Sequence, residues 1–271
     1  MANWVTNQLY LKHAEDARFV LRDDPDAYND ERKAVDFNIL VPFPTEIEVT
    51  GGYTKPGDEP AEVDINIPVD DLSLSSYVDK CIAAGFSAFA AEREYKLQKF
   101  GASGWYDWRI SHWGTKWNAH NVEKADAEDV IIFQTAWAYP DRWAEELAKH
   151  ADFTLVYGDE DTGTNCGWVT YEGGQLVAHW DTDEIRRRAC ESHYMQALAM
   201  SLYAKGWLYA YKDEDARDNF LVTYELDDSQ YLAESVYARR LVEAYDRLPE
   251  LLMLILPEWL QEREDLEYYA R

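Results

Sequence analysis

Between residues 129 and 180 the chain alternates apolar segments with turn signals in an order that few folds accommodate. DVIIFQTAW (129–137) is rich in β-branched and aromatic residues and reads as a buried strand. PDRWAEELAKHA (140–151) reads as a helix, with Pro140 in its first turn and Trp143, Leu147 and Ala151 at helical spacing. FTLVY (153–157), CGWVTY (166–171) and QLVAHW (175–180) read as strands, the last two joined by the turn Glu172-Gly173-Gly174. Strand, helix, strand, strand calls for an α+β fold: an antiparallel-rich sheet that carries its helices on one face.

Upstream, WVTNQLYL (4–11) alternates as a first strand, and AEDARFVLRDD (14–24) places Ala17, Val20 and Leu21 at helical spacing. FNILVPFP (37–44) is apolar but ends in two prolines, which confine it to an edge or an extended segment. Residues 45–76 carry three prolines, three glycines and eight acidic residues against one lysine, the composition of an exposed acidic insertion with a short strand at VDINIPV (63–69). Residues 77–100 read as one helix with Val78, Ile82, Phe86, Phe89, Ala90 and Leu97 on its apolar face and Gly101 just past its end; Gly85 fits that helix poorly. WYDWRIS (105–111) alternates as a strand. Residues 1–182 thus form one α+β domain, and 183–271 read as a mainly helical C-terminal region. There Asp181 and Glu184 resemble a capping pair, Ile185, Ala189, Leu198 and Leu202 mark a long helix, a second runs from about Ser229 to Leu248, and Pro249 starts a third that Pro257 should kink or interrupt.

Charge is the most unusual global property: 52 acidic against 26 basic side chains give −26. The excess is concentrated before residue 185. Such a field disfavours phosphate backbones and anionic lipid and steers cationic partners toward the molecule; solubility or adaptation to high salt is the plainer account of it. No apolar run reaches the ~18 residues that cross a bilayer, and MANWVTNQLYLKHAED lacks the basic and apolar segments of a signal peptide, so a cytoplasmic protein with no membrane contact is expected. Cys81, Cys166 and Cys190 lie far apart and read as reduced, structural thiols.

HWGTKWNAH (112–120) packs two histidines, two tryptophans, a lysine and a glycine into nine positions. His112 and His120 alone are no coordination sphere, and no neighbouring cysteine or H-E-x-x-H completes one, so no metal is expected. The better reading is packing: Trp113 and Trp117 bury large areas, and Gly114 permits a backbone angle that other residues resist. DEDTGTN (159–165) fails as an EF-hand loop, because its glycine is fifth and position twelve is Thr170; it reads as an acidic hairpin turn. Phosphate-binding glycine loops and a G-x-S-x-G elbow are missing, so no cofactor is expected. Carboxylates are too plentiful for catalytic roles to be assigned from spacing.

Several stretches together, ANWVTNQLYL, FNILVPFP, HWGTKWNA, FQTAWAYPDRW and FTLVYGDEDTG, resemble the YubB-like proteins of bacteriophages and plasmids across roughly residues 1–180. The resemblance implies a ferredoxin-like sheet and a mobile-element origin, and it brings no catalytic residues. Trp113, Gly114, Thr115, Lys116, Trp117, Asn118, Thr135, Trp137 and Pro140 match as signature positions.

Charge and resemblance together point to a non-enzymatic, cytoplasmic protein that binds and modulates a host nucleic-acid-binding protein through its basic groove. A CRISPR or restriction component met by nucleic-acid mimicry is one example. The carboxylates expected on such a surface are Asp58, Glu59, Glu62, Asp64, Asp70, Asp71, Asp126, Glu128, Asp129, Asp159, Glu160 and Asp161. Two alternatives stand beside it. One is a single-stranded nucleic-acid binder using the aromatic stretch 105–120, where Arg109 and Lys116 lie among four tryptophans. The other is an enzyme of unknown reaction.

Overall fold

The computed structural model describes residues 3–23, 33–50, 65–124, 129–159, 165–181 and 258–261. Strand β1 (Trp4–Leu11) leads through a 3₁₀ turn (Ala14–Phe19) to a two-stranded ribbon, β2 (Leu21–Asp23) and β3 (Lys33–Val35). Helices α1 (Leu74–Ala83), α2 (Ala88–Phe100) and α3 (Trp105–Trp113) follow, then β4 (His120–Lys124), β5 (Val130–Ala136), α4 (Asp141–Leu147), β6 (Phe153–Asp159), β7 (Cys166–Glu172) and β8 (Gln175–Asp181). A helical turn, α5 (Glu258–Gln261), ends the described residues.

β4 to β8 and β1 form one six-stranded antiparallel sheet in the order β4-β5-β1-β6-β7-β8. β1 sits between β5 and β6, so β1 runs with β4 and β5 runs with β6. These four strands and the helices between them reproduce the split βαβ topology of a ferredoxin-like fold. β7 and β8 extend the sheet as a hairpin, with Gly173 (φ 55°) and Gly174 (φ 78°) supplying the two left-handed residues its tight turn needs. Asp152 braces this end: its carboxylate accepts from the Gly173 amide at 2.7 Å and pairs with Lys12 at 3.2 Å. Burial raises its pKa, but these bonds outweigh burial and hold the carboxyl below its ordinary value.

Side chains at alternate strand positions (Val5, Leu9, Leu11, Ile131, Phe133, Phe153, Leu155) face α3 and α4 and form the main core with Phe37, Trp113, Trp143 and Leu147. Phe37 is fully buried and its ring lies 4.7 Å from that of Trp143.

Several expectations are corrected here. Only 14–19 of the expected 14–24 helix is helical, as a 3₁₀ turn, because the chain then pairs as β2. FNILVPFP begins with a 3₁₀ turn (Phe37–Ile39). At 45–76, the described ends are exposed at most positions but anchored by buried Ile47, Ile65 and Val69, and 65–69 is irregular rather than a strand. The 77–100 helix is two helices, broken where Gly85 takes φ 95°. Ile82, Phe89 and Leu97 therefore do not share a buried face, being 49%, 48% and 37% exposed. Instead Tyr77, Cys81, Ala91 and Tyr95 pack with Ile65 and Val69 in a smaller cluster, and the Tyr77 hydroxyl donates to the Ile67 carbonyl at 2.9 Å. WYDWRIS is helical, since its tryptophans also fit a helix: Trp105, Trp108 and His112 lie one turn apart. Of the expected helices beyond 182 only the turn Glu258–Gln261, just past Pro257, falls among the described residues; the others and the tip of the acidic hairpin lie outside them. Cys81 and Cys166 form no disulfide; Cys190 lies outside the described residues.

Trp143 is fully buried at the centre of the main core. Trp143→Ala should cost about 3–5 kcal/mol, measured as a fall in the urea midpoint at unchanged slope.

Candidate functional site

The two signature stretches, far apart in sequence, meet at one corner of the sheet. α3 ends at Gly114 in the left-handed region (φ 83°), and its backbone runs directly against the start of α4: a Cβ built on Gly114 would lie 1.9 Å from Asp141 Oδ1. Position 114 therefore needs glycine twice over, for its dihedral and for the close approach. Next along, the fully buried Thr115 donates to the Ala136 carbonyl at 2.8 Å, fastening the loop to the end of β5. Thr135 is equally buried; it accepts from Asn7 Nδ2 at 2.8 Å and donates to the Ala138 carbonyl at 2.7 Å, which shapes the turn after β5. Pro140 is the N-cap of α4, and its carbonyl accepts from the Ala144 amide at 2.9 Å.

Trp113 is buried, 2% exposed, with its indole N–H donating to the Val41 carbonyl at 2.9 Å. Asn118 ties the loop to the segment before Phe37. Its Oδ1 accepts from the Phe37 amide at 2.9 Å, and its Nδ2 donates to Asp36 Oδ1 at 2.7 Å. Asp36, 3% exposed, also takes the Asn38 amide and the Arg22 guanidinium, the latter at 2.8 Å. A buried carboxylate held by this many donors is stable where a bare one would not be. Nothing in the spacing of Asp36 pointed to this hub.

Trp137 is the exception to the packing. It is 42% exposed yet has φ 71°, a conformation seldom taken by a bulky residue. Hydrogen bonds fix it on both sides: its amide donates to the Asn3 carbonyl at 2.9 Å, and its carbonyl accepts from Asn165 Nδ2 at 2.9 Å. Lys116 Nζ lies 4.6 Å from the Trp137 ring centroid and 4.5 Å from that of Trp117, and Tyr106, 41% exposed, meets Trp137 edge-on at 6.3 Å. Trp117 in turn lies 5.8 Å from Trp4, which stacks on His120 at 5.3 Å. The result is a cation set among aromatic rings on the surface, held by a strained backbone that its surroundings over-determine.

Beside this platform a cleft of about 560 Å³ opens between α3 and α4, lined by Ser111, Gly114, Tyr139, Asp141, Arg142 and Asn165 among others. Burial pushes the Asp141 carboxyl above its ordinary pKa despite the Arg142 amide and guanidinium beside it. Burial, reinforced by Asp141, pushes the Tyr139 phenol up as well, so it stays protonated at every physiological pH. Ser111 Oγ and His112 Nδ1 lie 2.9 Å apart at the edge of the cleft, and both meet the Trp108 carbonyl, at 3.0 and 2.9 Å. A His112 tautomer that donates there has no lone pair on Nδ1 for the serine proton. Among the described residues no group of three or more His, Cys, Asp or Glu side chains is placed to hold a metal ion.

The candidate acidic surface does not assemble among the described residues. Asp70 and Asp71 are exposed beside α1, and Asp129 is half-buried at the start of β5. Asp159 is 5% exposed and accepts from Asn165 at 3.1 Å, so it braces the hairpin from inside instead of lining a surface. Asp58, Glu59, Glu62, Asp64, Asp126, Glu128, Glu160 and Asp161 lie outside the described residues. Tyr139, Asp141, Arg142 and Asn165 were missed by spacing because nothing local marks them; they matter only once β5, α4 and the β6–β7 hairpin converge.

Residues 112–197 match a family model described as the ferredoxin-like domain in Api92-like protein. The match begins at the HWGTKWNA stretch and takes in β4 to β8, in agreement with the topology. No curated protein and no solved structure matches the chain. The class defined is therefore an α+β protein with a ferredoxin-like domain, and no helix among the described residues is long and apolar enough to cross a membrane.

Two outcomes follow from the geometry at Gly114 and Asp141. Gly114→Ala should destabilise by about 2–4 kcal/mol, combining left-handed strain with overlap, and adding Asp141→Ala should recover only the part owed to the Asp141 carboxyl in a double-mutant cycle, because the Cβ would still lie 2.7 Å from the Asp141 backbone nitrogen. The raised carboxyl means that the folded state holds its proton more tightly than the unfolded chain does. The Asp141 contribution therefore favours folding at low pH and fades as pH rises through the aspartate range. Asp141→Asn should gain stability relative to the parent as pH rises through that range, read from paired urea titrations.

Proposed function

We propose that the protein is a non-enzymatic mobile-element product that binds and modulates a cationic protein of its host, one whose groove ordinarily holds nucleic acid. The observation that carries this reading is the net charge of −26. The described residues carry 22 acidic and 13 basic side chains, net −9, and the remaining −17 lies on residues outside those described. Charge of this kind accelerates encounter with a basic surface and makes binding strongly salt-dependent. The likeness of the HWGTKWNA and TAWAYP stretches to YubB-like proteins of phages and plasmids supports the mobile-element origin. A CRISPR or restriction component is the type of partner that such an element has reason to occupy.

The corner described above adds the short-range part. Trp, Tyr and Arg dominate binding hot spots, and Trp137 and Tyr106 are exposed, rigidly held rings that present an edge and a face to a partner's arginine or lysine. A second reading draws on Lys116: a cation beside exposed rings also suits a single-stranded nucleic acid, with bases stacked on Trp137 and phosphate near the ammonium.

The test has two arms. Immobilised protein should retain from host lysate, at low salt and not at ~0.5 M NaCl, a protein that binds DNA or RNA, and it should compete with that nucleic acid for it. Trp137→Ala should weaken the interaction about 30-fold, the loss of a hot spot worth ~2 kcal/mol, while leaving the fold intact. A retained protein that binds nucleic acid equally well with the site occupied would contradict the proposal. Direct binding of oligo(dT) or oligo(U), lost in Trp137→Ala, would establish the second reading instead.

A further inference from the structure

β6, β7 and the second half of β1 are buried on both faces of the sheet, yet the apolar clusters of the described elements account for one face only. Leu9, Phe133, Leu155 and Val169 point toward α3 and α4 and belong to the main core. Their strand neighbours point the other way. Of these, Tyr10, Val156, Cys166 and Trp168 are 3%, 0%, 0% and 6% exposed, and none of them belongs to either apolar cluster formed by the described elements. The polar groups on this face are paired as in an interior. Thr154 and Thr170, both fully buried, lie 3.0 Å apart through their hydroxyls, and the Tyr10 hydroxyl donates to Gln8 Oε1 at 2.7 Å.

The course of the chain names the occupant. β8, the edge strand of the sheet, ends at Asp181, and the next described residues are Glu258–Gln261. There the Trp259 indole N–H donates to Glu172 Oε1 at 3.1 Å. Glu172 lies at the end of β7 in the same alternation as Trp168 and Thr170, so the chain leaves the sheet edge and returns to this second face. The intervening residues include ALAMSLYAKGWLYAY (197–211) and LLMLIL (251–256), more apolar surface than a soluble chain leaves in water. A tether at both ends gives such a segment an effective concentration in the millimolar range, ahead of any second molecule.

We propose that the second face of the sheet is a docking surface for the chain's own segment 182–257, which covers Tyr10, Val156, Cys166, Trp168 and Thr170. This inference is independent of the function proposed above, but it bears on the choice of partner. The sheet face that RNA-recognition modules use for stacked bases is then occupied from within, which turns nucleic acid away from that face.

The full chain carrying Trp168→p-benzoylphenylalanine tests this directly. After irradiation the photoproduct should run as a monomer, and its peptides should join position 168 to residues within 182–257. Dimer-mass products, which place a second copy on the face, or crosslinks to residues outside that segment would overturn the proposal. The unaltered chain gives a second readout that needs no substitution. Cys166 should resist iodoacetamide as Cys81 does, independently of dilution, and react only on unfolding. Cys166 labelled in the native chain while Cys81 stays protected, or labelled only after dilution, would overturn it as well.

Discussion

The close approach of α3 to α4 at Gly114 and Asp141 is the constraint on which the functional corner depends. With no side chain at 114, the end of α3 can lie against the first turn of α4, and Thr115 then reaches the last carbonyl of β5. That contact sets where Lys116 emerges, and it places the ammonium between the rings of Trp117 and of Trp137 on the turn leaving the same strand. Thr135, Asn3 and Asn165 fix the turn from below and from both sides. Rigid presentation of an exposed tryptophan is therefore a consequence of buried hydrogen bonds several residues away. Ordering these groups in advance lowers the entropy that binding would otherwise cost.

What could be read from residue order divides along physical lines. β1 and β5 to β8 were legible because each is a short, β-branched and aromatic run bounded by turn residues, and the glycine pair at 173–174 marks its hairpin without ambiguity. α3 was read as a strand because WYDWRIS satisfies two periods at once: alternation puts Trp105 and Asp107 on one side, whereas helical spacing puts Trp105, Trp108 and His112 together. Gly104 and Gly114 decide the matter, since they bound a segment of helical length with a left-handed cap. The split at Gly85 shows the opposite case, where an apolar face drawn across 77–100 was broken by one residue with positive φ.

The site was legible only in half. HWGTKWNA and TAWAYP stand out as motifs, but the reason they matter is their meeting across β5, which no local pattern encodes. Asp36 is the clearest example of a residue invisible to spacing. It sits in an ordinary stretch, yet it gathers Arg22, Asn38 and Asn118 into one buried network that orients the loop. The acidic character was plain from composition, but its distribution was not. Asp159 was grouped with a surface and proved internal, because the hairpin folds its carboxylate toward Asn165.

The account as a whole rests on exposed Trp137 and half-buried Lys116 forming a fixed pair instead of two mobile side chains. Proton NMR of the Lys116 side chain reads this most directly, because an ammonium stem between two indole faces lies in their ring currents. The account predicts Lys116 methylene resonances upfield of those of exposed lysines such as Lys80, partly restored to the ordinary position in Trp137→Ala. Lys116 resonances at the ordinary lysine position in the native protein would contradict it.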